Sequence, residues 1–216
     1  LLCYGGEPLP PEPPDNLTNA YGDFDGNGVE DILYVWKDGT QWVAHIETDG
    51  GFGGEAVLST SQYDEARAIG GHDINGDGVE EAFLQVATGA STTVLGIFTL
   101  WEAVGSPATG LYCGLVPVMY AEAPAETSFI IGGPVLFQNG LRCRANYTLR
   151  EYSQDTSDGY TYTQHRYDYD YLPGFGITDP VVHQTASSVG TVYSPADDAQ
   201  IALGASFTCG GLSLYP

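Results

Sequence analysis

The sequence predicts an all-β fold built from repeats, with few and short helices. Three observations carry this. Glycine (29) and tyrosine (15) are abundant among the 216 residues, as expected for pleated strands punctuated by turns. An acidic, glycine-rich nonapeptide occurs twice, at Asp23–Asp31 (DFDGNGVED) and Asp73–Glu81 (DINGDGVEE), and each copy runs into an apolar, strand-like segment. No window sustains a 3.6-residue apolar period.

Residues 4–16 (YGGEPLPPEPPDN) hold five prolines, which exclude a helix or a central strand and favour an extended polyproline-like arm. The arm is assigned to residues 1–19, as a spacer or as a reach onto a neighbouring subunit. Residues 20–216 are read as one β-rich domain. After the first acidic loop, Ile32-Leu33-Tyr34-Val35-Trp36 is a strand. Lys37-Asp38-Gly39-Thr40 is a hairpin turn of the Asp-Gly type. Gln41–Glu47 is the returning strand, with Trp42, Ala44 and Ile46 on one face. Thr48–Gly54 is a glycine-rich turn, and Glu55–Ser59 a short third strand.

The pattern then restarts. Asp23 and Asp73 are 73 − 23 = 50 residues apart, a period found in propeller blades and similar arrays. Repeats are placed near 20–67 and 68–115. A third, degenerate one near 128–176 lacks the acidic loop, and a closing segment spans 185–216. The best helical candidate is Ala196–Leu203, with Ser194 as cap and Pro195 in the first turn.

The nonapeptides have the chemistry of a hard-cation site. Calcium takes six to eight oxygens at ~2.3–2.6 Å, so a short loop must deliver several of them, and glycines let it curl. The candidate ligands are Asp23, Asp25, Asn27, the Val29 carbonyl and Asp31 in the first loop. In the second they are Asp73, Asn75, Asp77, the Val79 carbonyl and Glu81. An EF-hand is excluded, because its bidentate glutamate at position 12 would fall on Tyr34 or Leu84. The alternative is a pair of acidic turns without metal. The matched spacing favours two structural Ca2+ sites.

The motifs D-x-D-G-N-G-x-x-D and D-x-N-G-D-G-x-x-E, each followed by a strand, resemble the calcium loops of FG-GAP/VCBS-type repeats. Such repeats build β-propeller blades in integrin α subunits and in secreted bacterial proteins. Gly89-Ala90-Ser91-Thr92-Thr93 after the second loop, and the Phe207–Leu212 ending, are similar to segments of secreted actinobacterial members. The resemblance implies a partial or irregular β-propeller-like domain, since two intact loops are too few for a closed seven-bladed ring.

With 6 basic and 28 acidic residues the formal charge is −22. That opposes binding to nucleic acid and to anionic membranes. No apolar run reaches the ~20 residues of a membrane span, and no signal peptide opens the chain, which reads as a mature form. Four cysteines without a C-x-x-C pair suggest two disulfides and an extracellular or cell-surface location, with four free thiols as the alternative. Of three pairings, Cys113–Cys143 with Cys3–Cys209 is preferred: the first closes a local loop and the second ties the termini. Asn16 and Asn146 head N-glycosylation sequons.

Catalysis finds little support. His45, His72, His165 and His183 are scattered, and no G-x-S-x-G, H-E-x-x-H or P-loop pattern occurs. Tyr160–Tyr171 (YTYTQHRYDYDY) puts Tyr160 and Tyr162 on one strand face and Tyr167, Tyr169 and Tyr171 on the other. Either a bulge lies near Gln164–Arg166 or one group is exposed. An exposed row could bind sugars or proteins; the favoured reading is a core strand. The expected role is therefore non-enzymatic, a structural or adhesion module that binds other protein subunits or extracellular glycans. The alternatives are a subunit of a surface polymer, joined through the arm or edge strands, and a glycan-binding domain using the tyrosine strand.

Overall fold

The computed structural model describes residue 14 and residues 16–214 except 52, 61–64, 104–111, 147 and 174–179. The expected arm and Cys3 lie outside these residues, apart from residues 14 and 16–19, of which Thr18 and Asn19 belong to the first strand and not to an arm. The described residues are all-β, with 58% of them in strands and one short helix.

The first four strands, β1 (Thr18–Gly22), β2 (Asp31–Asp38), β3 (Gln41–Glu47) and β4 (Gly53–Val57), form an antiparallel four-stranded meander. The hairpin turn falls at the Asp-Gly step: Asp38 pairs with Gln41, and Gly39 takes a φ of 58°. The third strand begins two residues earlier than the sequence suggests, because Gly53 and Gly54 pair with Glu47 and Ile46. Those glycines are needed there. A Cβ on Gly53 would lie 1.8 Å from the Ile46 carbonyl oxygen, and one on Gly54 2.6 Å from the Leu115 nitrogen.

The next four strands repeat this order. They are β5 (Arg67–His72), β6 (Glu81–Thr88), β7 (Thr92–Ala103) and β8 (Tyr112–Pro117), each antiparallel to the one before. The 50-residue period is carried into pairing. Gly22 opposes Asp31 across the first loop, and His72 opposes Glu81 across the second.

The remaining strands are β9 (Met119–Tyr120), β10 (Ala123–Glu126), β11 (Phe129–Gly132), β12 (Phe137–Arg144), β13 (Thr148–Asp155), β14 (Tyr162–Leu172), β15 (Val181–Ser187) and β16 (Thr191–Tyr193). A 3-10 turn at Pro195–Asp197 leads into α1 (Asp198–Leu203), and β17 (Phe207–Thr208) follows. Ser194 and Pro195 open this segment, and the Asp197 carboxylate accepts from the Ser194 backbone N–H and hydroxyl. Strand β11 joins this half to the second repeat by pairing with both β7 and β12. Among the described residues the larger sheet then has 13 strands, the smaller four, and neither is closed.

Two cores result. Strand β6 is buried on both faces: Ala82 and Leu84 pack with Phe24, Leu33, Val35 and Ile46, while Phe83 packs with Ile74, Ile97, Phe129 and Leu149. Strand β14 is also covered on both faces. Tyr169 (7% exposed) and Tyr171 (6%) enter the second core, and Tyr167 packs against it. On the opposite face Tyr162 is buried and donates to the Val135 carbonyl, and Gln164 is tied to the Gln200 carbonyl of α1. The tyrosines therefore do not form an exposed row, which corrects the ligand-surface reading of Tyr167, Tyr169 and Tyr171. The expected bulge near Gln164–Arg166 is not in β14; the register shift lies on β15, where Thr185 is the extra residue, since Asp168 opposes Ala186 and Tyr169 opposes Gln184.

The disulfide expectation is also overturned. Cys143 is bonded to Cys209, which leaves no room for Cys113–Cys143 or Cys3–Cys209. The cause is the parallel pairing of β17 with β12, in which Leu141 opposes Phe207 and Arg142 opposes Thr208. The next residues in that register are Cys143 and Cys209, with Cα atoms 4.6 Å apart. The Cys113 side chain lies outside the described part of the chain.

Candidate metal loops

Each nonapeptide connects a strand ending in glycine or Gly-His to a strand that begins with its last carboxylate. The curl is held by its own first aspartate. In loop 1 the Asp23 carboxylate accepts from the backbone N–H groups of Asn27 (3.0 Å) and Gly28 (2.8 Å). In loop 2 Asp73 accepts from Asn75, Gly76 (2.6 Å) and Gly78 (3.0 Å). Gly26, Gly28, Gly76 and Gly78 all have φ between 74° and 87°, a left-handed conformation that glycine adopts without a steric penalty.

The second residue of each loop is a plug. Phe24 is fully buried in the first core and Ile74 in the second. The last carboxylate is drawn underneath the loop. Asp31, 1% exposed, accepts from the Phe24 (2.9 Å) and Asp25 (3.3 Å) nitrogens, and Glu81, 1% exposed, accepts from Ile74 (3.0 Å).

In loop 1 a carboxylate oxygen from each of Asp23, Asp25 and Asp31 lies within 4.8 Å of the others. Oxygens on opposite sides of a calcium ion at ~2.4 Å are ~5 Å apart, so these three fit a shared cation. Asn27 sits beside them, its amide donating to Asp25 (3.1 Å) and Asp49 (2.7 Å), while its oxygen accepts from Val29 N–H (2.7 Å). In loop 2 Asn75 donates to Asp77 (2.8 Å) and Asp77 accepts from Val79 N–H (2.9 Å). Among the described residues no second acidic triad as tight as that of loop 1 occurs. The loop 1 residues are thus drawn together; the acidic residues of loop 2 share the scaffold without the same convergence.

The buried carboxylates carry the electrostatic load. Burial is the largest influence on Asp31, followed by the opposing backbone N–H of Asp49 and then the charge of Asp25, and its pKa is pushed up to about 6. Glu81 is pushed up to about 8, by burial first and then by Asp77 and Asp73 against the Ile74 N–H. A carboxylate that is hard to ionise in an anionic pocket is one that a cation would hold ionised.

Two contributors were missed by sequence reasoning. Asp49, in the turn after β3, donates its N–H to Asp31 (3.2 Å) and accepts from Asn27. Glu80 accepts from the Asp23 N–H (3.1 Å), and its own N–H donates to the Asp23 carbonyl (2.9 Å), so the two loops are braced together. The acidic Glu80-Glu81 ending was the one signal for this.

The other expected residues stand apart from the loops. Asn16 and Asn146 are exposed, Asn16 with φ 63°, and Asn146 accepts from the Thr148 hydroxyl of its own sequon (3.0 Å). His183 pairs with Glu122 at 2.6 Å on the surface. His45 is buried in β3, and burial lowers its pKa. No helix among the described residues is long and apolar enough to cross a membrane. No protein-family model, curated protein or solved structure matches this chain.

Proposed function

We propose that the chain is an extracellular, non-enzymatic β-repeat module stapled by calcium, whose role is to present a rigid surface to protein subunits or glycans. The observation that carries this is the convergence of Asp23, Asp25 and Asp31 in a loop that recurs 50 residues later with the same hairpin pairing. The meanders β1–β4 and β5–β8 support the FG-GAP/VCBS-like reading, because a propeller blade is a four-stranded antiparallel sheet. The stacking of core on either side of β6 supports it as well. In this reading Ca2+ is structural: Asp23, Asp25, Asn27, the Val29 carbonyl and Asp31 hold one ion, and Asp73, Asn75, Asp77, the Val79 carbonyl and Glu81 hold another. The Cys143–Cys209 bond is compatible with an oxidising, extracellular setting. Calorimetric titration of the chelator-treated protein with calcium tests it. Two binding events are expected in the protein, and one in Asp31→Asn; absence of binding heat would overturn the reading.

A further inference from the structure

A cavity of about 340 Å3 lies at the turn between β6 and β7, lined by Glu65, Arg67, Gln85, Thr88, Ser91 and Thr92 among others. It is separate from both acidic loops. Arg67 and Gln85 are cross-strand partners in β5 and β6. Buried Gln85 donates its amide to the Glu65 carbonyl (2.7 Å), and its oxygen accepts from Arg67 Nε (3.1 Å). The guanidinium is thereby anchored on one side by a group that is itself anchored. Among the described residues no carboxylate lies within 4.0 Å of Arg67. In a chain with 28 acidic and 6 basic residues, a cation fixed in a cavity without a described counter-ion is a distinctive feature.

The opposite wall is made of hydroxyls. Thr88, Ser91, Thr92 and Thr93 line it, and none of their hydroxyls hydrogen-bonds to another described residue. The turn backbone is fixed: Gly89 N–H donates to the Thr92 carbonyl (2.8 Å), and the Ser91 carbonyl accepts from Gly133 N–H (2.8 Å). Gly132 makes that approach possible, since a Cβ there would lie 2.7 Å from the Ser91 oxygen. The wall is preformed, and binding would order little.

We infer that this cavity is a subsite for a single carboxylate-bearing sugar unit, such as a uronic acid, with Arg67 holding the carboxylate and the Thr88–Thr93 turn holding ring hydroxyls. A guanidinium fork matches a carboxylate bidentately. The volume sits at the small end of the ~300–1,000 Å3 typical of ligand sites. The net charge of −22 disfavours polyanions, but one compact carboxylate meets mainly the local field, since screening at physiological salt acts over ~8 Å. Exposed Glu65 on the lining opposes a second negative charge on the ligand.

This inference does not depend on metal in the loops, and its test is run with calcium present throughout. The 15N-labelled protein is titrated with methyl glucuronide, methyl glucoside, acetate and an acidic dipeptide, following the amides of residues 88–93 and the Arg67 Nε–H signal. Saturable shifts are expected with methyl glucuronide; methyl glucoside, which lacks the charged partner, should bind about ten-fold or more weakly, and acetate and the dipeptide, which lack the ring hydroxyls, should also bind more weakly. Arg67→Gln should abolish the shifts, and Arg67→Lys, which keeps charge without the fork, should retain part. An unchanged spectrum of Arg67→Lys away from the cavity establishes that the variant is folded. No saturable shift at residues 88–93, equal binding of acetate or the dipeptide, or glucuronide binding that survives Arg67→Gln would overturn the inference.

Discussion

Gly22 and Gly71 face each other at the junction of the two repeats: a Cβ on either would lie 2.8 Å from the Cα of the other. Beside them, the Asp23 N–H donates to the Glu80 carboxylate and the Glu80 N–H donates to the Asp23 carbonyl. The two loops are therefore mounted on backbones that touch, and the metal-binding reading and the packing of the repeats are parts of one structure.

Gly71→Ala should destabilise the protein by about 1–3 kcal/mol, the range for forcing atoms into a packed contact, because its nearest neighbours include backbone rather than only movable side chain. Gly114→Ala is the control. Its Cβ would meet only Val116, at 3.8 Å, so stability should be unchanged or rise slightly. Urea melts of both variants make the comparison.

The tyrosine strand gives a second contrast. Tyr169 is buried against Tyr120 and Phe129, and its hydroxyl donates to Glu151 at 2.9 Å, whereas Tyr160 is 70% exposed. Tyr169→Ser should destabilise by about 3–5 kcal/mol, as for other large-to-small aromatic core changes. Tyr160→Ser should stay within about 0.5 kcal/mol of the parent protein. Thermal melts by near-ultraviolet dichroism distinguish the two.

Peptide mapping of the non-reduced protein should recover Cys143 linked to Cys209. The bond spans 66 residues, and the chain-entropy model gives a loop of that size about 4 kcal/mol. Cys143→Ser/Cys209→Ser should fall short of that and still show a clear loss in denaturant midpoint.

The pH dependence of the calcium-free protein follows from Asp31 and Glu81. Their folded pKa values, about 6 and about 8, lie above the ordinary carboxylate range of ~4. Protonation therefore favours the fold. That contribution is fully present below about pH 4 and is lost as pH rises through about 6 for Asp31 and about 8 for Glu81. In chelator the melting temperature should fall across this window. Calcium, if it holds both groups ionised as proposed, should remove most of the fall. A melting temperature that climbs with pH in chelator would contradict the assignment of the two carboxylates.

The local grammar of the chain was readable. The doubled nonapeptide, the Asp38-Gly39 turn, the core face of Trp42, Ala44 and Ile46, and the Ser194-Pro195 start of the helical segment all follow from spacing and turn chemistry, and the structure contains each of them. What depended on distant partners was not. The Cys143–Cys209 bond follows from β17 lying parallel to β12, and nothing near Cys209 signals that pairing. Tyr162, which donates to the Val135 carbonyl, and Tyr169, in the second core, are both buried on opposite faces of one strand, a layering that period-two reasoning about a single strand does not reveal. Phe24 and Ile74, to which the spacing of the ligands assigns no role, plug the two cores. Asp49 looked like part of a turn, and it braces Asp31 from a different hairpin.

If calcium in the Asp23–Asp31 loop holds the fold, differential scanning calorimetry will give different melting curves in calcium and in chelator. Calcium at about a hundred-fold excess over Kd should stabilise the protein by about 2.7 kcal/mol per occupied site, a rise of several degrees in Tm. Asp31→Asn should lose the share owed to the first loop. Coincident melting curves in calcium and chelator, with Asp31→Asn no different from the parent in its response to calcium, would contradict the account.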